Sequence, residues 1–204
     1  QLIKRENTIS FWSRGEEIIS ESFPDIIEAL AEKDFQGAMD GEILCWDFEQ
    51  QQPRPFADLQ KRLGRKSPEK KTLTDYPAFF LAYDLIEMDG KDLRAEPLTG
   101  RRELLDNLFN HEDFHSSDRL GISQVLPISN LNEAVEFRGK SKEVRSEGLM
   151  IKKKDSAYGV GRKRGDWWKW KIEPDTIDAV MIYAQKGHGR RASRYTDFTF
   201  ALYK

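Results

Sequence analysis

The chain has 204 residues, 38% hydrophobic and 33% charged, with a net charge of −2 at pH 7, a size for one or two domains. Its single cysteine, Cys45, excludes an intramolecular disulfide, and no apolar run approaches the ~18 residues that cross a bilayer. The balanced charge conceals a segregation: residues 1–137 hold 16 basic and 27 acidic side chains, 138–171 hold 12 and 4, and 172–204 hold 5 and 4. The basic stretch suits nucleic-acid phosphates, or is a basic surface balanced by acidic neighbours.

Residues 1–13 alternate loosely about Glu6-Asn7 and predict a hairpin ending at Phe11-Trp12, followed by a turn over Ser13-Arg14-Gly15-Glu16-Glu17. Ser22 and Pro24 mark a helix start, with Ile26, Ile27, Leu30 and Ala31 as its apolar face. Residues 36–47 read as a strand, and Gln50 to Pro55 as a loop. Phe56, Leu59 and Leu63 have helical spacing, closed by Gly64. Residues 65–71 read as a basic loop. The apolar run from Ala78 to Ile86, broken only at Asp84, predicts a buried strand before a turn at Asp89-Gly90. Pro97 opens a helix with the face Leu98, Leu104, Leu105 and Leu108. His111 and His115 have a spacing that a metal could use, but no carboxylate motif surrounds them, so 110–119 is expected to be a polar surface loop. A strand is expected over 121–128, then a short helix capped by Asn130 and running through Val135 and Phe137.

Two strands follow, Ser146-Glu147-Gly148-Leu149-Met150-Ile151-Lys152 and Trp167-Trp168-Lys169-Trp170-Lys171. Alternation places Met150 and Lys152 with Gly148 on one face, and Leu149 and Ile151 on the other, with Glu147 on the Leu149 side. Lys169 and Lys171 share a face; Trp168 and Trp170 share the opposite one. Two adjacent ammonium groups repel unless an anion lies between them, and a phosphate is the simplest such anion. A carboxylate beside phosphates suggests Mg²⁺ bridging the two. The pair therefore proposes a nucleotide site, with Glu147 for metal and Lys152, Lys169 and Lys171 for phosphate oxygens. A solvated charged face is the competing reading. The loop Tyr158-Gly159-Val160-Gly161 does not join a strand to a helix, so it is a weak phosphate cradle.

After Pro174 a new pattern begins: a strand at 177–184, a Gly/Arg loop at 186–194, and a strand from 195 to 203. Strands outnumber helices without regular alternation, which favours an α+β fold with mostly antiparallel sheets.

Five motifs now stand in order: Ser13-Arg14-Gly15, Asp40-Gly41-Glu42, Phe80-Leu81-Ala82-Tyr83-Asp84, Glu147 to Lys152, and Trp168-Lys169-Trp170-Lys171. Together they resemble the nucleotidyltransferase core of ATP-dependent DNA ligases of the bacterial and archaeal type. The flanking Asp155-Ser156-Ala157-Tyr158-Gly159 and Gly165-Asp166-Trp167-Trp168 agree with a ligase more than with a capping enzyme. The resemblance implies an ATP-grasp-like adenylation domain over 1–174, and over 175–204 the first strands of an OB-fold barrel, which needs about five. It implies ATP and Mg²⁺ (or Mn²⁺) as cofactors, nicked double-stranded DNA as partner, no membrane, a monomer, and a cytoplasmic, nucleoid-associated setting.

It also implies roles. Arg14 would meet the ribose or a DNA 5′-phosphate, a contact its planar fork suits. Glu42 would accept the ribose hydroxyl or help hold metal, Tyr83 would stack on adenine, and Glu147 would position the divalent ion. Lys169 and Lys171 would neutralise charge on the attacked α-phosphate, supported by Lys152. Lys186, Arg190, Arg191 and Arg194 would suit DNA backbone contact, or form an ordinary basic loop.

One motif departs from the family. Its nucleophilic Lys, followed shortly by Asp-Gly, is absent, and Lys4 is not in that context. Gln1 falls just after the place where relatives carry it, so the chain reads as a fragment, expected not to adenylate itself. An RNA ligase, a capping-type nucleotidyltransferase, or a non-catalytic nucleic-acid-binding module are the alternatives.

Overall fold

β1 (Leu2–Arg5) and β2 (Thr8–Phe11) pair antiparallel about Glu6-Asn7, where Glu6 takes a φ of 48°. The computed structural model describes all residues except 116, 117, 162, 174, 175, 203 and 204, and gives only the backbone at 115 and 190. α1 (Pro24–Ala31) follows, with Pro24 at its first turn, where a missing N–H costs nothing. Ile26 and Leu30 of α1 are fully buried.

The long strands β3 (Gly37–Asp47) and β5 (Ala78–Met88) run antiparallel and form the spine of the sheet. Between them lie β4 (Gln52–Pro53), α2 (Phe56–Gln60) and α3 (Lys70–Asp75). The expected basic loop over 65–71 holds through Glu69, and α3 takes its last two residues; none of α3's residues is buried, so that helix has no apolar periodicity to read. After β5 come β6 (Lys91–Asp92), α4 (Leu98–Asn110), α5 (Glu112–His115) and β7 (Leu120–Ile122). The seven-stranded sheet has the order β2-β1-β3-β5-β6, with β4 on β3 and β7 on β5.

β7 is the sheet's one parallel partner among the described residues and is shorter than the expected 121–128 strand. Ser123 still donates its N–H to the Ala82 carbonyl at 2.7 Å, but Val125 is exposed and Pro127 has no N–H to continue a ladder. α5 likewise interrupts the expected polar loop. His111 lies within 3.6 Å of Asp113, both exposed, and no group of three or more metal-ligating side chains forms among the described residues. The side chain of His115 lies outside the described residues.

One sheet face carries the core: Leu2, Met39, Phe80 and Leu85 pack with Leu30 of α1 and Leu105 of α4. Gly41 faces this core because a Cβ there would strike the Phe80 ring. The buried face of α4 keeps Leu105 and Leu108 of the expected stripe but adds Arg101 and Phe109, and Leu104 is exposed. An arginine takes a core position there because its Nε and Nη2 meet the two Asp84 oxygens at 2.8 and 2.9 Å, with both side chains fully buried. Arg62 repeats the device, gripping Asp25 and the Ser22 carbonyl.

Lys4 is also buried. Its Nζ donates to the Leu30 and Ala31 carbonyls at the end of α1 and to the Lys33 carbonyl just beyond it. Strand alternation then turns Gln1, Ile3 and Arg5, and Asp40 and Glu42, to the opposite, open face.

α6 (Leu131–Gly139) begins at Asn130 as expected: the Asn130 side chain accepts the Glu133 N–H at 3.0 Å, and Glu133 reaches back to the Ser129 N–H at 2.8 Å. β8 (Gly148–Lys152) and β9 (Trp167–Lys171) form a separate antiparallel hairpin. The chain divides into two units, Gln1–Ile172 and Glu173–Lys204. The second holds β10 (Ala179–Lys186) and β11 (Tyr195–Leu202), an antiparallel pair. β10 starts two residues later than expected, and residue 203, the expected end of its partner, lies outside the described residues.

Candidate functional site

Tyr83 sits where the β3–β5 ladder is irregular. Asp40 pairs with Asp84 and Gly41 with Ala82, so Tyr83 is the extra residue of a bulge. Bulges re-aim a side chain, and here the ring meets the β8–β9 hairpin. Its centroid lies 6.4 Å from that of Trp167, edge to face. The Lys152 ammonium stands 4.6 Å from the Tyr83 centroid and 4.0 Å from that of Trp167. Burial lowers the Lys152 pKa to about 8, against the pull of Asp84. Burial pushes the Tyr83 hydroxyl well above its usual value, and the nearby charges of Asp40, Glu42 and Asp84 add to this while Arg14 opposes it. Four of the sequence candidates, Arg14, Glu42, Tyr83 and Lys152, are thus brought to one place on the open face.

Asp40 fastens this place to the loop after β8. Its carboxylate accepts from the Tyr158 hydroxyl at 2.7 Å and from the Gln1 side-chain amide at 3.2 Å. Tyr158 is held protonated, first by burial and then by that hydrogen bond. An open cleft of about 850 Å³ continues from here, lined by Arg5, Arg14, Glu87, Arg94 and the Tyr158–Gly161 loop among others. Arg5 and Arg94 are already paired, with Glu87 and Asp92.

Register sets the second group. Gly148 pairs with Lys171, Met150 with Lys169 and Lys152 with Trp167. Directly paired residues share a face, so all three lysines project from one side of the hairpin, a placement the register adds to the alternation within each strand. Glu147 is a correction. Alternation put it on the Leu149 face, yet its carboxylate pairs with the Lys171 ammonium at 2.6 Å. Gly148, at a φ of +135°, breaks the alternation, and a Cβ there would collide with the Trp170 carbonyl. The hydrogen bond from Lys171 holds the Glu147 carboxyl below its ordinary range, with Lys169 adding to the effect. The anion expected beside the lysines is therefore supplied by the chain itself. α6 braces the same strand: Arg138 donates Nε and Nη2 to the Lys171 carbonyl at 2.9 and 2.6 Å and lies over the Trp170 ring.

The donors fit a hard divalent ion only in a particular way. Glu147 offers a carboxylate next to lysines that favour phosphate, and the described residues hold no all-protein cage. Mg²⁺ is commonly bound by one or two carboxylates with substrate phosphates and water completing its shell.

Lys186, Arg191 and Arg194 belong to the second unit and are exposed; the side chain of Arg190 is outside the described residues. Asp40 lies within a sequence motif, and Tyr158 and Trp167 in the stretches flanking the motifs, yet nothing in the sequence gives them a part. No local pattern signals that residues 118 apart share a hydrogen bond.

A family model described as an ATP dependent DNA ligase domain matches residues 1–171. A protein of Koribacter versatilis named "Probable DNA ligase" is 34% identical over 95% of this chain and 36% of its own length. The ligase domain of M. tuberculosis LigD is 26% identical, with a TM-score of 0.60 over 81% of this chain and 47% of its own. A mycobacterial DNA ligase D complexed with ATP and MES, 24% identical, shares the fold with a TM-score of 0.65 over 98% of this chain and 57% of its own. The chain spans 36% of that Koribacter protein, 22% of a relative in Opitutus terrae and 34% of one in Acidianus ambivalens.

Proposed function

The chain belongs to the ATP-dependent DNA ligase domain family, and from that premise we propose that it forms the nucleotide-site walls of an enzyme that seals nicks in duplex DNA. A lysine amine attacks the α-phosphate of ATP and releases pyrophosphate, AMP passes from the lysine to the 5′-phosphate at the nick, and the 3′-hydroxyl attacks that phosphate to form the phosphodiester and release AMP. Lys4 is not that lysine, because its amine is committed to the end of α1.

In this reading Tyr83 is the platform for adenine, offering a π face. Glu42 accepts the ribose hydroxyl, and Arg14 contacts the ribose or the DNA 5′-phosphate. Lys169 and Lys171 lie against the α-phosphate, where fixed cations act on charge that grows during attack. Lys152 supports the same phosphates. Glu147, with Glu42, would hold Mg²⁺ or Mn²⁺, which when bound neutralises phosphate charge. Loading the site then requires Lys171 to exchange Glu147 for phosphate. Residues 1–174 are the adenylation domain; 175–204 begin an OB-fold barrel, whose Lys186, Arg190, Arg191 and Arg194 contact the DNA backbone. The protein acts as a monomer.

The observation that carries this reading is the Lys152 ammonium over a tyrosine ring re-aimed by a bulge, with Glu42 and Arg14 near enough for their charges to act on its hydroxyl. Titration of the chain with ATP and with GTP tests it. ATP is expected to bind more tightly, and Tyr83→Ala to weaken it by about tenfold, the scale of a lost base–aromatic stack. Preference for GTP would replace the ligase reading with a capping enzyme. Salt-sensitive DNA binding with no affinity for either nucleotide would leave only a nucleic-acid-binding module.

A further inference from the structure

The Lys152 ammonium touches two rings and no hydrogen-bond acceptor among the described residues. It lies over Tyr83 at 4.6 Å and Trp167 at 4.0 Å, and no described residue forms an ion pair with it. Such cation–π contacts are a modest attraction. Three N–H donors drawn partly out of water without an acceptor work against that gain. The depressed pKa of about 8 reports the same imbalance. This cation is therefore parked, not anchored.

Its parking place matters. A ring face with an ammonium over it cannot also receive a planar base at stacking distance. The side chain has somewhere else to go. Lys152 shares its face of the hairpin with Lys169 and Lys171, by the pairing of Met150 with Lys169 and Gly148 with Lys171. Cross-strand diagonal neighbours stand roughly 7–8 Å apart, within reach of a lysine stem. A phosphate between these amines would supply the missing acceptor.

We propose that Lys152 is a selectivity gate of the nucleotide site: it covers the Tyr83 ring in the free protein and yields it to a ligand that brings both a base and a phosphate. The proposal rests on reading Tyr83 as the base platform. A nucleoside must expel the ammonium from the ring while offering it no anion. A nucleotide takes the ring and receives the ammonium on its phosphates, so one side chain couples base recognition to phosphate recognition. Discrimination between ATP and adenosine then exceeds what the phosphate contacts supply on their own.

The test is a titration of the 204-residue chain with adenosine, AMP and ATP, in wild type, Lys152→Met and Tyr83→Ala. Methionine keeps an unbranched apolar stem between the rings and removes the charge. In Lys152→Met, adenosine should bind about threefold more tightly, since no cation has to leave the ring, and ATP about tenfold more weakly, since a charge-assisted hydrogen bond is gone. Near-UV circular dichroism checks that the aromatic packing of the variant is retained. Weakening of ATP with adenosine unchanged or weaker overturns the gate and leaves Lys152 an ordinary phosphate ligand. Undiminished ATP binding by Tyr83→Ala overturns the base-platform reading on which the gate depends. Absence of any nucleotide binding by the wild-type chain overturns both.

Discussion

Lys152 is the group whose protonation most affects this site. Its pKa of about 8 in the folded chain lies below the ~10.4 of a solvated lysine. Below pH 8 both states carry the proton and the cost of burying the charge is fully present. Between about pH 8 and 10.4 the folded chain has released a proton that the unfolded chain keeps, so this group makes stability rise with pH. Nucleotide binding should run the other way. Phosphates attract the ammonium and not the amine, so ATP affinity should fall by about tenfold between pH 7 and 9. The charges that act on Lys152 are Asp84, Arg102, Arg101 and Asp40. Calorimetry at constant ionic strength should find the fall in wild type and a flat profile in Lys152→Met. The same slope in both would assign the titration to another group.

At the scale of elements, the placement of the site residues depends on irregularities as much as on regular strands. The bulge at Tyr83 sits one residue from Asp84, whose carboxylate is locked to Arg101 of α4. Arg101 also donates to the Glu96 and Ser156 carbonyls, so one guanidinium ties β5, the entry to α4 and the loop after β8. Arg101→Ala should therefore cost about 3–5 kcal/mol, because it strands a buried carboxylate. Urea unfolding measures this directly, and a loss near 1 kcal/mol would mean that Asp84 finds water. Sequence made the strands of this arrangement legible. The near-continuous apolar run over 78–86 and the period-two Trp/Lys alternation over 167–171 are both strands. The motif order, from Arg14 to Lys171, was legible as well. The bulge was not, since it arises from pairing between distant strands. Asp84 reads locally as a break in an apolar run, and Arg101 as the polar side of a helix; only their meeting makes both core residues. Glu147 reads to the wrong face because period two fails at a glycine with positive φ.

At the scale of the whole molecule, the two units differ in what they bury. Every buried hydrophobic residue among those described lies between Leu2 and Leu120. The second unit, Glu173–Lys204, instead exposes Met181, Ile182, Tyr183, Phe198, Phe200 and Leu202 on a single pair of strands. A two-stranded hairpin is marginal in water, since it needs a third strand or a helix to cover its apolar face. Deleting 173–204 should therefore leave the thermal midpoint of the remainder within about 2 °C, the shift that about 1 kcal/mol produces in a domain of this size. The separate peptide 173–204 should show no cooperative unfolding. Binding to nicked duplex should respond differently, because the deletion removes Lys186, Arg190, Arg191 and Arg194. Every DNA phosphate that a protein cation neutralises adds about 0.9 to the steepness of the salt dependence, so without these four cations affinity at low salt should fall and the dependence should flatten. A drop in midpoint of 5 °C or more (~5 °C corresponds to about 2 kcal/mol) would mean that the hairpin contributes to the stability of the first unit. An unchanged salt slope would remove the arginine loop from the DNA surface while leaving the nucleotide site, wholly within residues 1–172, as it stands.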